Sequence, residues 1–164
     1  MSKKLWIFIG AMVLLHLSAQ RVHAQTVTIT FSSDPGGISL AGTGTSSASL
    51  TLGNIQAFGG TVPTGVTKAI NGTTNWTLST PLDVLVSKSA FPSANYTITA
   101  QLQTFDPTNT WTLGGVTLSS ASAGTITLSG SYGINSTYSL ALTIPFSAPA
   151  ETFSNTIDFI AIAN

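Results

Sequence analysis

The sequence predicts an all-β protein, built as an antiparallel β-sandwich of about nine or ten short strands. Apolar residues alternate with threonine and other polar residues over many short segments. Turn signals rich in glycine, proline and asparagine separate these segments. No apolar pattern recurs at helical spacing over three turns. Because a period of two puts successive side chains on opposite faces of a sheet, each strand is expected to have one buried and one wet face.

The same alternation marks the predicted strands in chain order. The first strand is the segment 26–31, in which three apolar residues alternate with threonines. Four later strands are predicted over the alternating runs 96–102, 125–129, 138–144 and 157–161. Turn signals stand at 34–37, 58–60, 71–72, 106–107 and 114–115. The Asp106 turn is expected to form because aspartate hydrogen-bonds its own backbone. Pro145 has no backbone N–H, so its strand is predicted to be an edge strand or to end there.

Residues 1–24 have the pattern of a cleaved signal peptide. Lys3 and Lys4 precede an apolar run over 5–17, and the small residue Ala24 closes the segment. Thirteen residues are fewer than the ~20 that a membrane-spanning helix needs. Cleavage after Ala24 would leave a single domain, 25–164, with no membrane span. The expected location is therefore secreted, either extracellular or at the cell surface.

The chain after residue 24 has few groups that could catalyse a reaction. It contains no histidine, arginine or cysteine, its cations are Lys68 and Lys88, and five scattered acids give it a net charge of −3. Acid–base and nucleophilic catalysis rely on the residue types that are missing, so we expect no enzyme and no cofactor. No calcium-loop spacing is present, so we expect no metal site. A weakly acidic chain is also a poor ligand for nucleic acid. Only a carboxylate pair for glycoside cleavage stays open, because it could assemble in space.

Few charges protect the edges of the predicted sheets. The 140 residues after Ala24 contain 26 threonines and 19 serines but only two lysines, whereas monomeric β-proteins usually guard their edges with charge or proline. We therefore expect self-association or pairing with related surface subunits. The segment 26–32 is the candidate exchangeable strand, with Val27, Ile29 and Phe31 filling a neighbour's groove. The alternative is an ordinary first strand packed in its own sandwich. The stretch 41–49, rich in glycine, serine and threonine, is predicted to be a flexible connection.

Three segments resemble secreted bacterial pilin-type domains of the spore-coat-U and related fimbrial group. They are Ala-Ser-Leu-Thr-Leu-Gly-Asn-Ile over 48–55, Tyr-Ser-Leu-Ala-Leu-Thr-Ile-Pro-Phe over 138–146, and the long alternating run over 152–162. The resemblance implies an immunoglobulin-like fold and assembly by donation of an N-terminal strand. The chain departs from that group in having no cysteine pair and in ending with Ala-Ile-Ala-Asn.

Two functions follow from these observations. The first is a non-enzymatic structural or adhesive protein, a subunit of a surface or extracellular assembly built by β-strand complementation. The alternative is a monomeric module that binds a glycan or another surface ligand, with Trp76 and Trp111 as a stacking platform. Each tryptophan, however, alternates with threonine and shares its strand face with a leucine two positions on. This pattern favours a place in the core for both indoles.

Overall fold

The computed structural model describes residues 25–34, 38–41, 49–86 and 94–164. These residues form strands and loops with no helix, which confirms the all-β prediction for this part of the chain. The predicted signal peptide and most of the predicted connection 41–49 lie outside the described residues. The strands are β1 (Gln25–Asp34), β2 (Ile38–Ala41), β3 (Ser49–Ile55), β4 (Thr67–Asn71), β5 (Asn75–Val86), β6 (Asn95–Leu102), β7 (Thr110–Leu113), β8 (Val116–Thr117), β9 (Gly124–Ser131), β10 (Asn135–Pro145) and β11 (Thr152–Ala163).

The strands form two sheets in a sandwich-like arrangement. The first sheet has the order β3-β1-β11-β6-β9, and the second has the order β2-β5-β10-β7-β8 with β4 also paired to β5. Every described pairing is antiparallel except that of β1 with β11, which is parallel. The sequence pattern predicted antiparallel pairing throughout. This prediction fails for one pair, because β1 and β11, the first and last described strands, lie side by side and run in the same direction.

One hydrophobic core lies between the two sheets. Alternate residues of β5, β6 and β10 are buried, as the period-two pattern predicts. The largest fully buried side chains come from both sheets and include Trp111, Tyr96, Phe159, Ile55, Leu78 and Leu82. Burial of one large apolar side chain is worth about 1.5–3 kcal/mol. No described residue is a cysteine, so hydrophobic packing and the backbone ladders hold this part of the fold together.

Pro81 marks the point at which β5 changes its neighbour. One side of β5 pairs with β10 along its whole length, through Pro81 opposite Ser139. On the other side β4 pairs with β5 as far as Ser79, and β2 pairs with it from Asp83 onward. Proline has no N–H to donate to a ladder. It therefore occupies the short stretch of β5 that has no partner strand on that side.

Pro145 ends β10, which is one of the two outcomes that the sequence predicts for its strand. β10 is not an edge strand, since it lies between β5 and β7. The strand stops at Pro145, opposite Asn75 at the start of β5. The chain then turns, with the Ala148 backbone N–H donating to the Pro145 carbonyl at 3.0 Å. A proline at the last position of an interior strand removes no donor from the middle of the ladder.

Candidate functional site

The first described strand occupies an interior position in its sheet. β1 lies between β3 and β11 and forms a ladder with each of them. Its parallel register with β11 runs from Thr26 opposite Thr152 to Asp34 opposite Ile160. Its antiparallel register with β3 includes one irregularity, between Val27 and Thr28. Withdrawal of β1 would therefore leave a slot with two unpaired strand edges, one on β3 and one on β11.

The three predicted donor residues lie at alternate positions of this slot. Val27, Ile29 and Phe31 are registered with Phe153, Asn155 and Ile157 of β11, in that order. All three partner residues are buried. In this structure β1 pairs with strands of its own domain, which is the arrangement of an ordinary first strand. Whether the same strand also exchanges between molecules stays a prediction.

Asn155 is a buried polar residue whose side-chain amide is hydrogen-bonded to Thr104 and to its own neighbour Thr156. Its side-chain Nδ2 donates to the Thr104 carbonyl at 2.9 Å, and its Oδ1 accepts from the Thr156 backbone N–H at 2.9 Å and from the Thr104 N–H at 3.3 Å. A buried amide without such partners would cost about 1–3 kcal/mol. These bonds connect the start of the 103–109 loop to β11.

Trp76 and Trp111 do not form the sugar-stacking platform that the sequence left open. Their side chains are 2% and 1% exposed, so neither presents a ring face to solvent. Both face the core, in line with the alternation of each with threonine. The indole N–H of Trp111 has a hydrogen-bond partner, because its Nε1 donates to Asp106 Oδ2 at 2.7 Å. A buried tryptophan normally finds such a partner for its N–H.

Asp106 organises the loop that precedes β7. Its Oδ1 accepts from the backbone N–H groups of Thr108 and Asn109 at 3.0 and 2.9 Å, so the predicted aspartate turn is confirmed. Its Oδ2 accepts from Asn109 Nδ2 at 3.0 Å and from the Trp111 indole. Burial alone would raise the pKa of this carboxyl, but the hydrogen bonds from Asn109, Trp111 and Thr108 outweigh it and hold the pKa below the ordinary value.

The loop also exposes an aromatic ring that the sequence interpretation missed. Phe105 is 73% exposed, and it lines two cavities of about 140 and 220 Å³ together with its neighbour Asp106. The available signal was an aromatic residue directly before the Asp-Pro turn, where a hydrophobic side chain has no strand face to occupy. Apolar alternation identifies buried strand faces, so it does not identify an exposed aromatic residue in a loop.

The outer strand β9 carries neither charge nor proline. Its pairing with β6 is irregular near Ile98. Leu128 of β9 is 74% exposed, and its carbonyl accepts a hydrogen bond from Asn164 Nδ2 at 2.7 Å. A bulged strand is a poor template for further pairing. This edge is therefore protected by irregular geometry and not by charge.

The described residues contain no group of three or more histidine, cysteine, aspartate or glutamate side chains that could hold a metal ion. Asp83 and Asp158 lie on different sheets and bind Thr137 and Gln103 respectively. Among the described residues no helix is long and apolar enough to cross a membrane.

No protein-family model matches the chain, and no curated protein is significantly similar to it. The resemblance to pilin-type domains consequently stays a prediction from the residues quoted above.

Proposed function

We propose that this protein is a secreted, non-enzymatic structural or adhesive subunit that assembles by β-strand complementation. In the assembly, β1 of one molecule occupies the slot between β3 and β11 of the next molecule. The observation that supports this proposal is the interior position of β1, which forms backbone ladders on both sides although it is the first described strand. The domain is an immunoglobulin-like sandwich, and β1 starts at Gln25, the residue that the predicted signal cleavage would expose.

An exchange of identical strands restores the same backbone hydrogen bonds and registers in each slot. The free energy difference between the closed monomer and the strand-exchanged assembly therefore depends mainly on the protein concentration and on the connection that follows β1. The chain passes from β1 in one sheet to β2 in the other and returns to β3. Because only β1 must leave, a donated strand can place Val27, Ile29 and Phe31 in a neighbour without dismantling the second sheet.

The absence of cysteine allows a direct test by engineered cross-linking. Thr30 of β1 and Ser49 of β3 are registered antiparallel partners, and the Cα atoms of such partners lie about 4.5–5.5 Å apart. That distance suits a disulfide bond. Thr30→Cys combined with Ser49→Cys should give disulfide-linked dimers and longer ladders in non-reducing electrophoresis. The linked fraction should rise with the protein concentration during refolding.

The matched control joins two strands that both stay in one molecule. Thr99 of β6 and Ile160 of β11 are also registered antiparallel partners. Thr99→Cys combined with Ile160→Cys should give only intramolecular disulfides at every concentration. If the Thr30/Ser49 pair behaves in the same way as this control, β1 stays in its own domain. The function would then be the alternative, a monomeric ligand-binding module.

A further inference from the structure

Phe105 forms a ridge between two cavities at one end of the sandwich. The first cavity, of about 140 Å³, lies between the 103–109 loop, the start of β7 and residues 117–120. The second cavity, of about 220 Å³, lies between the same loop and residues 151–155. Pockets for drug-sized ligands span ~300–1,000 Å³, so each cavity suits one ring-sized unit. The two cavities and the ridge are called the Phe105 cleft.

Asn109 lines the first cavity and has an unused hydrogen-bond acceptor. The residue is only 7% exposed, and its Oδ1 has no hydrogen-bond partner. The orientation of the amide follows from its neighbour, because Nδ2 donates to the Asp106 carboxylate, which can only accept. Oδ1 therefore needs a donor from elsewhere. A buried acceptor without a donor is costly. The Oδ1 atom is itself buried, so a ligand hydroxyl would remove that cost only after a small movement of the lining.

The remaining lining is neutral or acidic. Thr110, Ser119 and Ser120 are among the residues that line the first cavity, and Thr104, Thr108 and Ser154 are among those that line the second. The charged residues of the two linings are Asp106 and Glu151, and no lysine or arginine is among them. An anionic ligand such as a phosphate or a sulfated chain would meet only like charge.

We propose that the Phe105 cleft binds a neutral glycan chain, with one sugar ring on each side of the exposed phenyl ring. A sugar ring has an apolar C–H face that packs on an aromatic ring, and hydroxyls that both donate and accept hydrogen bonds. The cleft has a comparable composition, with the exposed ring of Phe105, several threonines and serines in its lining, and Asn109, whose buried Oδ1 lacks a donor. This site shares no residue with the buried Trp76 and contains Trp111 only as a wall. It uses no residue of β1, but Phe153 and Asn155 of the second cavity lie opposite Val27 and Ile29 of β1 in the paired sheet.

Trp111 provides a reporter, since it lines the first cavity. The purified protein is titrated with cellohexaose, with N-acetylchitohexaose and with laminarihexaose up to about 10 mM, which covers weak binding in the millimolar range. At least one of these oligosaccharides should change the tryptophan emission in a saturable manner. Phe105→Ala should weaken that binding by about tenfold. The ring is largely exposed, so this variant should fold normally.

Phe58→Ala is the matched control, because Phe58 is also an exposed phenylalanine, 50% exposed, and stacks on Phe146 away from the cleft lining. It should bind the oligosaccharide as the unchanged protein does. The proposal fails if all three oligosaccharides leave the emission unchanged, or if Phe58→Ala and Phe105→Ala weaken binding equally. It also fails if a decaproline peptide binds the cleft and the oligosaccharides do not.

Discussion

Asp106 accepts four hydrogen bonds with its two carboxylate oxygens, three from the backbone and side chain of its own loop and one from the Trp111 indole of β7. Hydrogen bonds to a charged acceptor are stronger than those to a neutral one. The carboxylate thus holds the Trp111 indole and the Asn109 amide in place at the edge of the core. One residue in a turn links a buried aromatic side chain to the geometry of the Phe105 cleft.

Asp106→Asn should lower the free energy of unfolding by about 1–3 kcal/mol at neutral pH, because an amide cannot accept all four donors. The folded pKa of Asp106 is lower than its ordinary value of 3.8. The stability that this carboxylate contributes is therefore complete above that value and is lost as the pH falls through the lowered folded pKa. The unchanged protein and the variant should become similar in stability in strong acid, as measured by urea unfolding over a pH series.

Asp83→Asn is the control for this prediction, since it removes the same charge from a residue whose carboxylate accepts from the Thr137 hydroxyl. It should cost about 1 kcal/mol or less at neutral pH. A loss for Asp106→Asn that was the same at pH 7 and at about pH 2 would show that the turn does not depend on the ionised carboxylate.

At the scale of elements, β5 shows how a proline is accommodated inside a sheet. Pro81 lies where β4 has ended and β2 has not yet begun, so the ladder toward those strands has a gap there. Ser79, two residues earlier, is paired on both sides, with Thr67 of β4 and with Ala141 of β10. Ser79 and Pro81 lie on the same face of β5. Ser79 has a partner strand on both sides, whereas Pro81 has one only on the side of β10.

Pro81→Ala should change the free energy of unfolding by less than about 1 kcal/mol, because the N–H it restores has no strand to pair with on the open side. Ser79→Pro should lower the free energy by about 1–3 kcal/mol, because it removes a group from a ladder in the middle of the sheet. Thermal and urea unfolding of the two variants measure both effects. Equal losses of unfolding free energy for Pro81→Ala and Ser79→Pro would contradict the gap in strand pairing at Pro81.

At the scale of the whole molecule, the described part of the fold depends on apolar burial and hydrogen bonding, with little help from ion pairs. Lys68 is the one cation among the described residues. Its Nζ donates to the carbonyls of Gln56 and Gly59, at 2.9 and 2.6 Å, and so fastens the 56–60 loop to β4. Exposed ion pairs are worth little and are screened by salt. Apolar burial and backbone hydrogen bonding, which stabilise this fold, are only weakly affected by salt screening.

The free energy of unfolding in urea should therefore change by less than about 0.5 kcal/mol between low and high sodium chloride. Sodium sulfate at equal ionic strength should raise it, because sulfate strengthens the burial of apolar surface. A marked fall in stability as sodium chloride is added would contradict this account and would indicate that ion pairs contribute substantially to the fold.

Local patterns were enough to predict several elements. The alternating runs around 96–102, 125–129, 138–144 and 157–161 correspond to β6, β9, β10 and β11. Alternation and turn chemistry depend on neighbours in the chain, so a single sequence contains them. The same patterns did not predict the short strands β2 and β8, which are four and two residues long. A strand of that length is too short to show a period and exists because β5 or β7 lies beside it.

The candidate site was predicted less completely than the fold. Sequence position and alternation singled out Val27, Ile29 and Phe31, but only the paired sheet showed an interior slot between β3 and β11. The cleft needs Phe105, Asn109 and the 151–155 segment to meet, and these come from separate parts of the chain.

The sequence by itself determined an all-β chain with period-two strands, turns at glycine, proline and aspartate, and few groups for catalysis, because these depend on residue type and local spacing. The tertiary structure decided which strands are neighbours, and with them the parallel pairing of β1 with β11. It also decided that position 130 must be glycine, because a Cβ there would overlap the ring of Tyr96 on the neighbouring strand. Contacts of this kind join residues far apart in the chain, and packing alone brings them together.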